Sequence, residues 1–246
     1  MEIFITILAL FAIGGFGGFV LELFFRRYVS QKRWVKPGFL AGPFIPLYGF
    51  GMAILYAFDA YIPWASISPW PWLNTVVEII VLGISLTLIE LVAGLIFVKG
   101  MKIRLWDYSK QWGNFMGLVC PLFSFFWLIG AALYVLLLGE PMVAFGGLLA
   151  ANYLSLTYPL GIFTGVLCID LGYSLGVVKK LRSAIEDSHV VAHWEKTKVI
   201  LRDYYKELKE KQSFLLPFVN AHDRFREAIA KYLERKKAEG KESGDQ

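Results

Sequence analysis

The positions of the positive charges constrain this sequence more than any other feature. No Lys or Arg occurs between Lys36 and Lys99, and none occurs between Lys110 and Lys179. Both gaps consist mainly of Leu, Ile, Phe, Val, Gly and Trp, and the chain as a whole is 57% hydrophobic and 18% charged. Soluble domains are usually about a quarter charged. Long apolar segments separated by short basic ones are typical of proteins that cross a membrane several times.

These segments predict an all-α fold, a polytopic membrane helix bundle with about five transmembrane helices. A helix needs about 20 apolar residues to cross a hydrocarbon core of about 30 Å. Basic loops stay on the cytoplasmic side, so the cations within 26–36 and 99–110 place the N-terminus outside and the C-terminus inside. The predicted spans are residues 3–25, 44–62, 73–98, 114–138 and 159–178.

Two apolar stretches do not read as ordinary spans. Residues 38–51 contain two prolines and several glycines, which predict a broken or re-entrant start to the second span. Residues 142–158 are apolar but short and rich in Gly, which predicts a surface-lying or re-entrant helix. A sixth crossing there would put the basic C-terminal segment outside, against the charge rule.

The chain divides by composition into two predicted domains, a transmembrane bundle over 1–178 and a basic, amphipathic, cytoplasmic helical tail over 179–246. Val191, Trp194 and Leu201 recur at helical spacing in the tail and form a narrow apolar stripe. A partner for this tail is an anionic lipid surface or another helix, and nucleic acid is not expected because the tail's charges are mixed in sign and lie beside a membrane.

The sequence indicates no cofactor and no metal site. Cys120 and Cys168 both lie inside apolar runs and read as small buried hydrophobic residues. The three histidines lie in the tail, and His189 and His193 share a helical spacing but have no evident third ligand.

Ionisable side chains inside the predicted spans need a reason, because each costs roughly 2.5–3.5 kcal/mol to insert. Glu22 lies near the inner end of the first span, and Glu90 and Asp170 each lie eight residues before the inner end of theirs, about 12 Å deep. Asp107 and Asn114 flank the same side of the membrane. The pattern predicts an acidic site in the cytoplasmic half of the bilayer; the alternative is a set of separate caps and ion pairs, such as Glu22 with an arginine four residues later.

Several short motifs resemble a known family. These motifs are residues 18–22 (GFVLE), 38–49 (GFLAGPFIPLYG) and 105–109 (LWDYS), together with Glu90, Asn114 and Gly117. They resemble the putative ABC-transporter type IV (CmpB-like) membrane proteins, a family related to transmembrane protein 229. The resemblance implies a permease. Since the sequence contains no GxxxxGK[ST] loop, any ATPase would be a separate subunit.

Three functions remain open from the sequence. The first is a permease-like transport component of the plasma membrane, and it implies a homo-oligomer because five spans are few for a transporter. The second is an intramembrane enzyme that acts on a lipid or isoprenoid headgroup at the inner leaflet, and the third is a membrane scaffold that recruits a partner through its tail. Whether the chain is an enzyme is therefore left open. The predicted ligand- or ion-binding residues are Glu22, Arg26, Tyr48, Glu90, Trp106, Asp107, Tyr108, Ser109, Asn114 and Asp170.

Overall fold

Helices make up most of the described chain. The structure is a computed structural model that describes residues 1–30, 32–101, 103–185 and 192–193, with side chains as far as residue 176. The predicted tail helices beyond residue 185 lie outside the described residues, except for residues 192–193, which form a short strand instead of a helix. The α-helices are α1 (Glu2–Phe25), α2 (Pro46–Tyr61), α3 (Pro71–Leu95), α4 (Pro121–Leu133), α5 (Gly139–Ala151) and α6 (Tyr153–Ile185).

Short irregular elements join or extend these helices. Turns of π-helix follow α1, α3 and α4, and a 3₁₀ turn precedes α3. Two-residue strands, β1 (Ile103–Arg104) and β2 (Ala192–His193), pair in parallel. The π turns are Arg26–Ser30, Ile96–Gly100 and Tyr134–Leu138, and the 3₁₀ turn is Trp64–Ser66.

Four helical segments of the described chain are long and apolar enough to cross a membrane. They are Glu2–Ser30, Pro71–Gly100, Pro121–Ala151 and Tyr153–Gly176. This confirms the predicted polytopic helix bundle. Large apolar side chains on their outer faces, such as Ile84 and Val92, are exposed, which suits a lipid environment.

The predicted second span is present as α2 but is shorter than expected. Pro46 occupies the first turn of α2, where its missing N–H costs nothing, and the preceding chain from residue 32 is not helical. The 16 residues of α2 cover about 24 Å, so α2 is not among the four long segments. It runs antiparallel to α1, since Gly14 packs on Met52 while Gly18 packs on Tyr48.

The fourth and fifth spans begin at different places from those predicted. Residues 114–120 form turns, and α4 begins at Pro121 after an extended Cys120. Helix α6 begins at Tyr153, with Pro159 inside it rather than at its start. Transmembrane helices tolerate proline when neighbouring groups satisfy the freed carbonyl, which is why this residue was a poor boundary signal.

The stretch predicted to lie on the surface or to be re-entrant, residues 142–158, is divided between α5 and the start of α6. A Cβ on Gly139 would lie 3.1 Å from Asp59 Oδ2, near the C-terminus of α2. Leu149 packs against the cluster that contains Ile5 and Ala9, near the N-terminus of α1. Because α1 begins where α2 ends, both ends of α5 lie at one end of the bundle. This placement favours a helix that lies at that end over a further crossing.

The described chain forms two units. The first comprises Met1–Leu95 and Asp107–Ser174, and the second comprises Ile96–Trp106 and the chain from Leu175 onward. In the first unit, one core cluster joins α2, α3 and α4, and another joins α1 and α6. The predicted domain boundary at residue 178 stays a prediction.

Candidate functional site

The buried carboxylate of Glu90 is the centre of the candidate site. Glu90 lies on α3 and is 3% exposed. Its Oε1 accepts a hydrogen bond of 2.9 Å from the Tyr108 hydroxyl, and its Oε2 accepts one of 2.9 Å from Trp127 Nε1. Glycines on α3 let α4 and the chain before it approach closely, since a Cβ on Gly83 or Gly94 would press on leucines of that segment. Both oxygens of Glu90 are thereby satisfied.

The donors to Glu90 carry no charge. Within the part of the chain that the structure describes, the recorded ion pair is Glu22 with Arg26, and Glu90 has none. The ring of Tyr108 stacks on Phe123 with centroids 4.1 Å apart, which holds its hydroxyl against Glu90. Burial, together with the neighbouring Glu90 carboxylate, raises the pKa of Tyr108 above its ordinary value, so Tyr108 stays a neutral donor.

Glu22 on α1 has a different set of partners. Its Oε1 accepts a hydrogen bond of 3.1 Å from Arg26 Nε, and its Oε2 accepts one of 3.1 Å from the Tyr48 hydroxyl. Tyr48 reaches Glu22 because it packs directly over Gly18, where any side chain would collide with its ring. The i, i+4 spacing on one helix face places Arg26 beside Glu22, as the sequence predicted.

An aromatic contact joins these two carboxylates. The rings of Tyr48 and Trp127 lie 5.8 Å apart between centroids, with an interplanar angle of 53°. Tyr48 therefore contacts Glu22 through its hydroxyl and Trp127 through its ring, while Trp127 contacts Glu90. We call this set the Glu22–Glu90 cluster; it comprises Glu22, Tyr48, Glu90, Tyr108 and Trp127, all in the first unit.

Asp170 has a separate set of contacts. Its Oδ1 accepts a hydrogen bond of 2.8 Å from the backbone N–H of Ala41, and its Oδ2 accepts one of 2.7 Å from Gly42. Ser174, one turn later on α6, donates to Asp170 and also accepts from Ala41, both at 3.2 Å. Asp170 thus holds the non-helical entry to α2 against α6, and no recorded hydrogen bond of the described residues joins it to Glu90.

The loop before α4 uses its polar residues to shape itself. Asp107 Oδ1 accepts a hydrogen bond of 3.0 Å from the backbone N–H of Ser109. Asn114 donates to the carbonyls of Ser109 and Gln111, at 3.1 and 2.9 Å, and accepts from the N–H of Gly117 at 3.0 Å. Positive φ angles at Gly113 and Gly117 accompany this turn. The turn carries Tyr108, whose own N–H donates to the Gly117 carbonyl at 2.9 Å.

The ten predicted site residues therefore separate into groups. The structure brings together Glu22, Arg26, Tyr48, Glu90 and Tyr108. It places Asp107, Ser109 and Asn114 in the turn and Asp170 at the entry loop, while Trp106 lies in the second unit and is half-buried.

Trp127 was missed. A tryptophan within a span needs an acceptor for its indole N–H, and Glu90 lies on the preceding span, so the two residues were available as a pair in the sequence.

The cluster suits binding of a positively charged or hydrogen-bond-donating group. Within the described residues, no group of three or more His, Cys, Asp or Glu side chains is arranged to hold a metal ion. Two carboxylates linked by phenol and indole groups can attract a cation or pass a proton, because each has lone pairs beyond those used.

The comparisons with known proteins identify a family. No curated protein and no solved structure shows significant similarity to the chain. A family model described as "Putative ABC-transporter type IV" matches residues 9–175, which include α2 to α5, the whole Glu22–Glu90 cluster and Asp170. The family description and the apolar helices fit a membrane transport component. The chain therefore belongs to the putative ABC-transporter type IV family, as its motifs predicted.

Proposed function

We propose that the protein is a permease-like component of a transport system in the plasma membrane, and that the Glu22–Glu90 cluster is its polar site in the cytoplasmic half of the bilayer. The family and the apolar helices support transport in general. The assignment of this particular site is supported by the contacts of its residues.

One observation carries the proposal: Glu90 is almost completely buried in a membrane-spanning helix and is held by neutral donors. An acid in the middle of a span is costly to insert, and an apolar side chain would fill the same space at lower cost. Glu90 is not neutralised by an ion pair with a Lys or Arg among the described residues. The negative charge of such a carboxylate can be balanced by a cation or a proton that arrives from outside the protein.

The level of the cluster supports the cytoplasmic half. Glu22 lies three residues before the end of α1, and Glu90 lies five residues before the end of α3, about 8 Å along the helix axis. The basic segments 26–36 and 99–110 follow these helix ends, and basic loops are cytoplasmic.

The proposal implies further partners. A transporter of this family without its own nucleotide-binding loop would take energy from a separate ATPase subunit. The few spans favour a homo-oligomer, in which two or more copies would enclose one pathway. The Gly14–Gly18 face is already covered by α2, so any contact between copies would use another face.

The test is a transport measurement on Glu90→Gln. Cells that lack the protein would be complemented with wild type, Glu90→Gln or Glu2→Gln, and the small molecules in the cells and the medium would be profiled. Glu2 is an exposed acid at the start of α1 and provides a matched change. We expect Glu90→Gln to resemble the empty cells and Glu2→Gln to resemble wild type. Identical profiles for wild type, Glu90→Gln and empty cells would contradict transport.

The other two functions have less support. In the described loop, Asp107 accepts a hydrogen bond from the Ser109 backbone, a contact that shapes the turn and adds no support for an intramembrane enzyme. A scaffold would depend on the tail. Deletion of residues 183–246 would abolish the function of a scaffold, whereas a permease would keep its effect on the profile.

A further inference from the structure

A second pair of acids lies at the opposite end of α2 and α3 from Glu90. Asp59 is two residues before the end of α2, and Glu78 is the eighth residue of α3. Tyr134, which follows α4, points to the same place. Glu78 and Tyr134 both approach the Asp59 carboxyl group closely enough to interact with it.

These groups are buried and unsatisfied. Glu78 is 8% exposed and Tyr134 is 3% exposed. Asp59 Oδ2, Glu78 Oε1 and Tyr134 Oη have no hydrogen-bond partner among the described residues. The backbone of α5 covers Asp59 at Gly139. Glu90 differs, because each of its two oxygens accepts a hydrogen bond.

Among the described residues, the helices packed around this pair supply no Lys, Arg or His. The helices packed here, α2 to α5, lie within residues 37–98 and 111–178, which contain no Lys, Arg or His. Tyr56 faces Tyr134, and Tyr61 in turn faces Tyr56. Two carboxylates in contact at low dielectric do not both stay ionised, so the pair needs one positive charge.

A proton fits this place better than a metal ion. Calcium takes about six to eight oxygen ligands and magnesium about six. Among the described residues, no group of three or more His, Cys, Asp or Glu side chains is arranged to hold a metal ion. The unsatisfied groups here are two carboxyl groups and one hydroxyl group. They are enough for one shared proton, because a carboxylic acid becomes a hydrogen-bond donor and the second carboxylate can accept from two donors.

We propose that Asp59 and Glu78 share one proton. Glu78 is the protonated acid and donates to the Asp59 carboxylate, and the Tyr134 hydroxyl donates to the same carboxylate. This arrangement gives each of the three unsatisfied oxygens a partner. The inference does not rest on the proposed transport function. In the proposed orientation, the pair lies at the outer end of the bundle.

The test is infrared spectroscopy of the purified full chain in detergent near neutral pH. A protonated carboxyl group gives its own carbonyl band, which shifts in deuterium oxide. We expect the difference spectrum of wild type minus Glu78→Gln to contain one such band. Glu140→Gln, an exposed acid in α5, is the control and gives no difference. In Asp59→Asn the band shifts, because the acceptor changes from a carboxylate to an amide.

Thermal unfolding provides a second measurement that does not need the band. The wild-type melting temperature falls as the pH is raised, because the folded protein holds a proton that the unfolded chain releases. Glu78→Gln, whose amide donates without a titratable proton, makes this dependence flatter. A band that is unchanged in both Glu78→Gln and Asp59→Asn would overturn the proposal. A second result would also overturn it. In that result, sodium chloride stabilises wild type, choline chloride does not, and the effect of sodium chloride is lost in Glu78→Gln.

Discussion

The indole N–H of Trp127 donates a 2.9 Å hydrogen bond to Glu90, 37 residues earlier in the chain. This bond connects α3 to α4, and the Glu90 side chain that accepts it is buried.

Trp127→Phe is expected to lower the stability of the protein by about 1–3 kcal/mol, because it leaves one oxygen of a buried carboxylate without a donor. The melting temperature of the purified protein measures the loss. Trp112→Phe is the matched control, since Trp112 is 85% exposed. Equal melting temperatures for Trp127→Phe and wild type would show that the bond contributes nothing.

Tyr108→Phe is expected to change the response to alkaline pH. The raised pKa of Tyr108 gives a stability contribution that is fully present below about pH 10, the ordinary value, and is lost as the pH rises above it. Wild type should therefore lose stability above about pH 10 more steeply than Tyr108→Phe.

Thermal unfolding between about pH 9 and about pH 11 measures this difference. Tyr158→Phe, which removes the hydroxyl of an exposed tyrosine, should follow the wild-type curve. Parallel curves for wild type and Tyr108→Phe would contradict the expectation.

Gly18→Ala is expected to separate α1 from α2. A Cβ at Gly18 would collide with Cβ and Cγ of Tyr48, the donor to Glu22. Overpacking of this kind costs roughly 1–3 kcal/mol. Gly17→Ala, one residue earlier, meets nothing within 4 Å and should melt like wild type. If both variants melt alike, the close contact of α1 with α2 is not required.

Asp170→Asn is expected to loosen the entry to α2. The carboxylate accepts from two backbone N–H groups, and an amide can accept at one oxygen. Loss of a charged acceptor costs about 1.5–3 kcal/mol. Hydrogen exchange of the Ala41 and Gly42 amides should become faster. Ser174→Ala removes a longer bond of 3.2 Å and should have the smaller effect. The reverse order would contradict the role given to Asp170.

The orientation of the chain can be tested by cysteine labelling. In a background with both native cysteines replaced by alanine, Ala65→Cys should react with a membrane-impermeant maleimide on intact cells. Lys110→Cys should react only after permeabilisation, since its loop is predicted to be cytoplasmic. Both positions are exposed. Labelling of Lys110→Cys on intact cells would reverse the predicted topology.

Much of the bundle was predictable because insertion into a membrane depends on local composition. The charge gaps predicted about five spans, and the described residues contain four long apolar segments and the shorter α2. The glycines and prolines between residues 38 and 49 indicated the broken start of α2. The boundary at Pro159 was wrong, since proline inside a transmembrane helix leaves no mark that distinguishes it from proline at the start. The loop after Trp106 was predicted to end at residue 113, whereas it continues to Cys120. Asn114 reads equally well as the first residue of a span and as a loop residue.

The site was predictable only in part. Glu22 and Glu90 stand out because acids are rare in apolar segments, and Arg26 follows from helical spacing. Which acid meets which partner depends on helix rotation, which the sequence does not encode locally. Asp170 has the same depth as Glu90 by residue count, yet it faces a loop, and Trp127 reaches Glu90 only because two helices pack side by side.

The length of α2 has a consequence for the surrounding lipid. Its 16 residues are about 6 Å short of a hydrocarbon core of ordinary thickness. A short helix is accommodated by local thinning of the bilayer, so we expect headgroups and water to lie near the non-helical segment before Pro46. We expect the protein to be most stable in a thin bilayer, and its activity to depend on the acyl-chain length of the lipids.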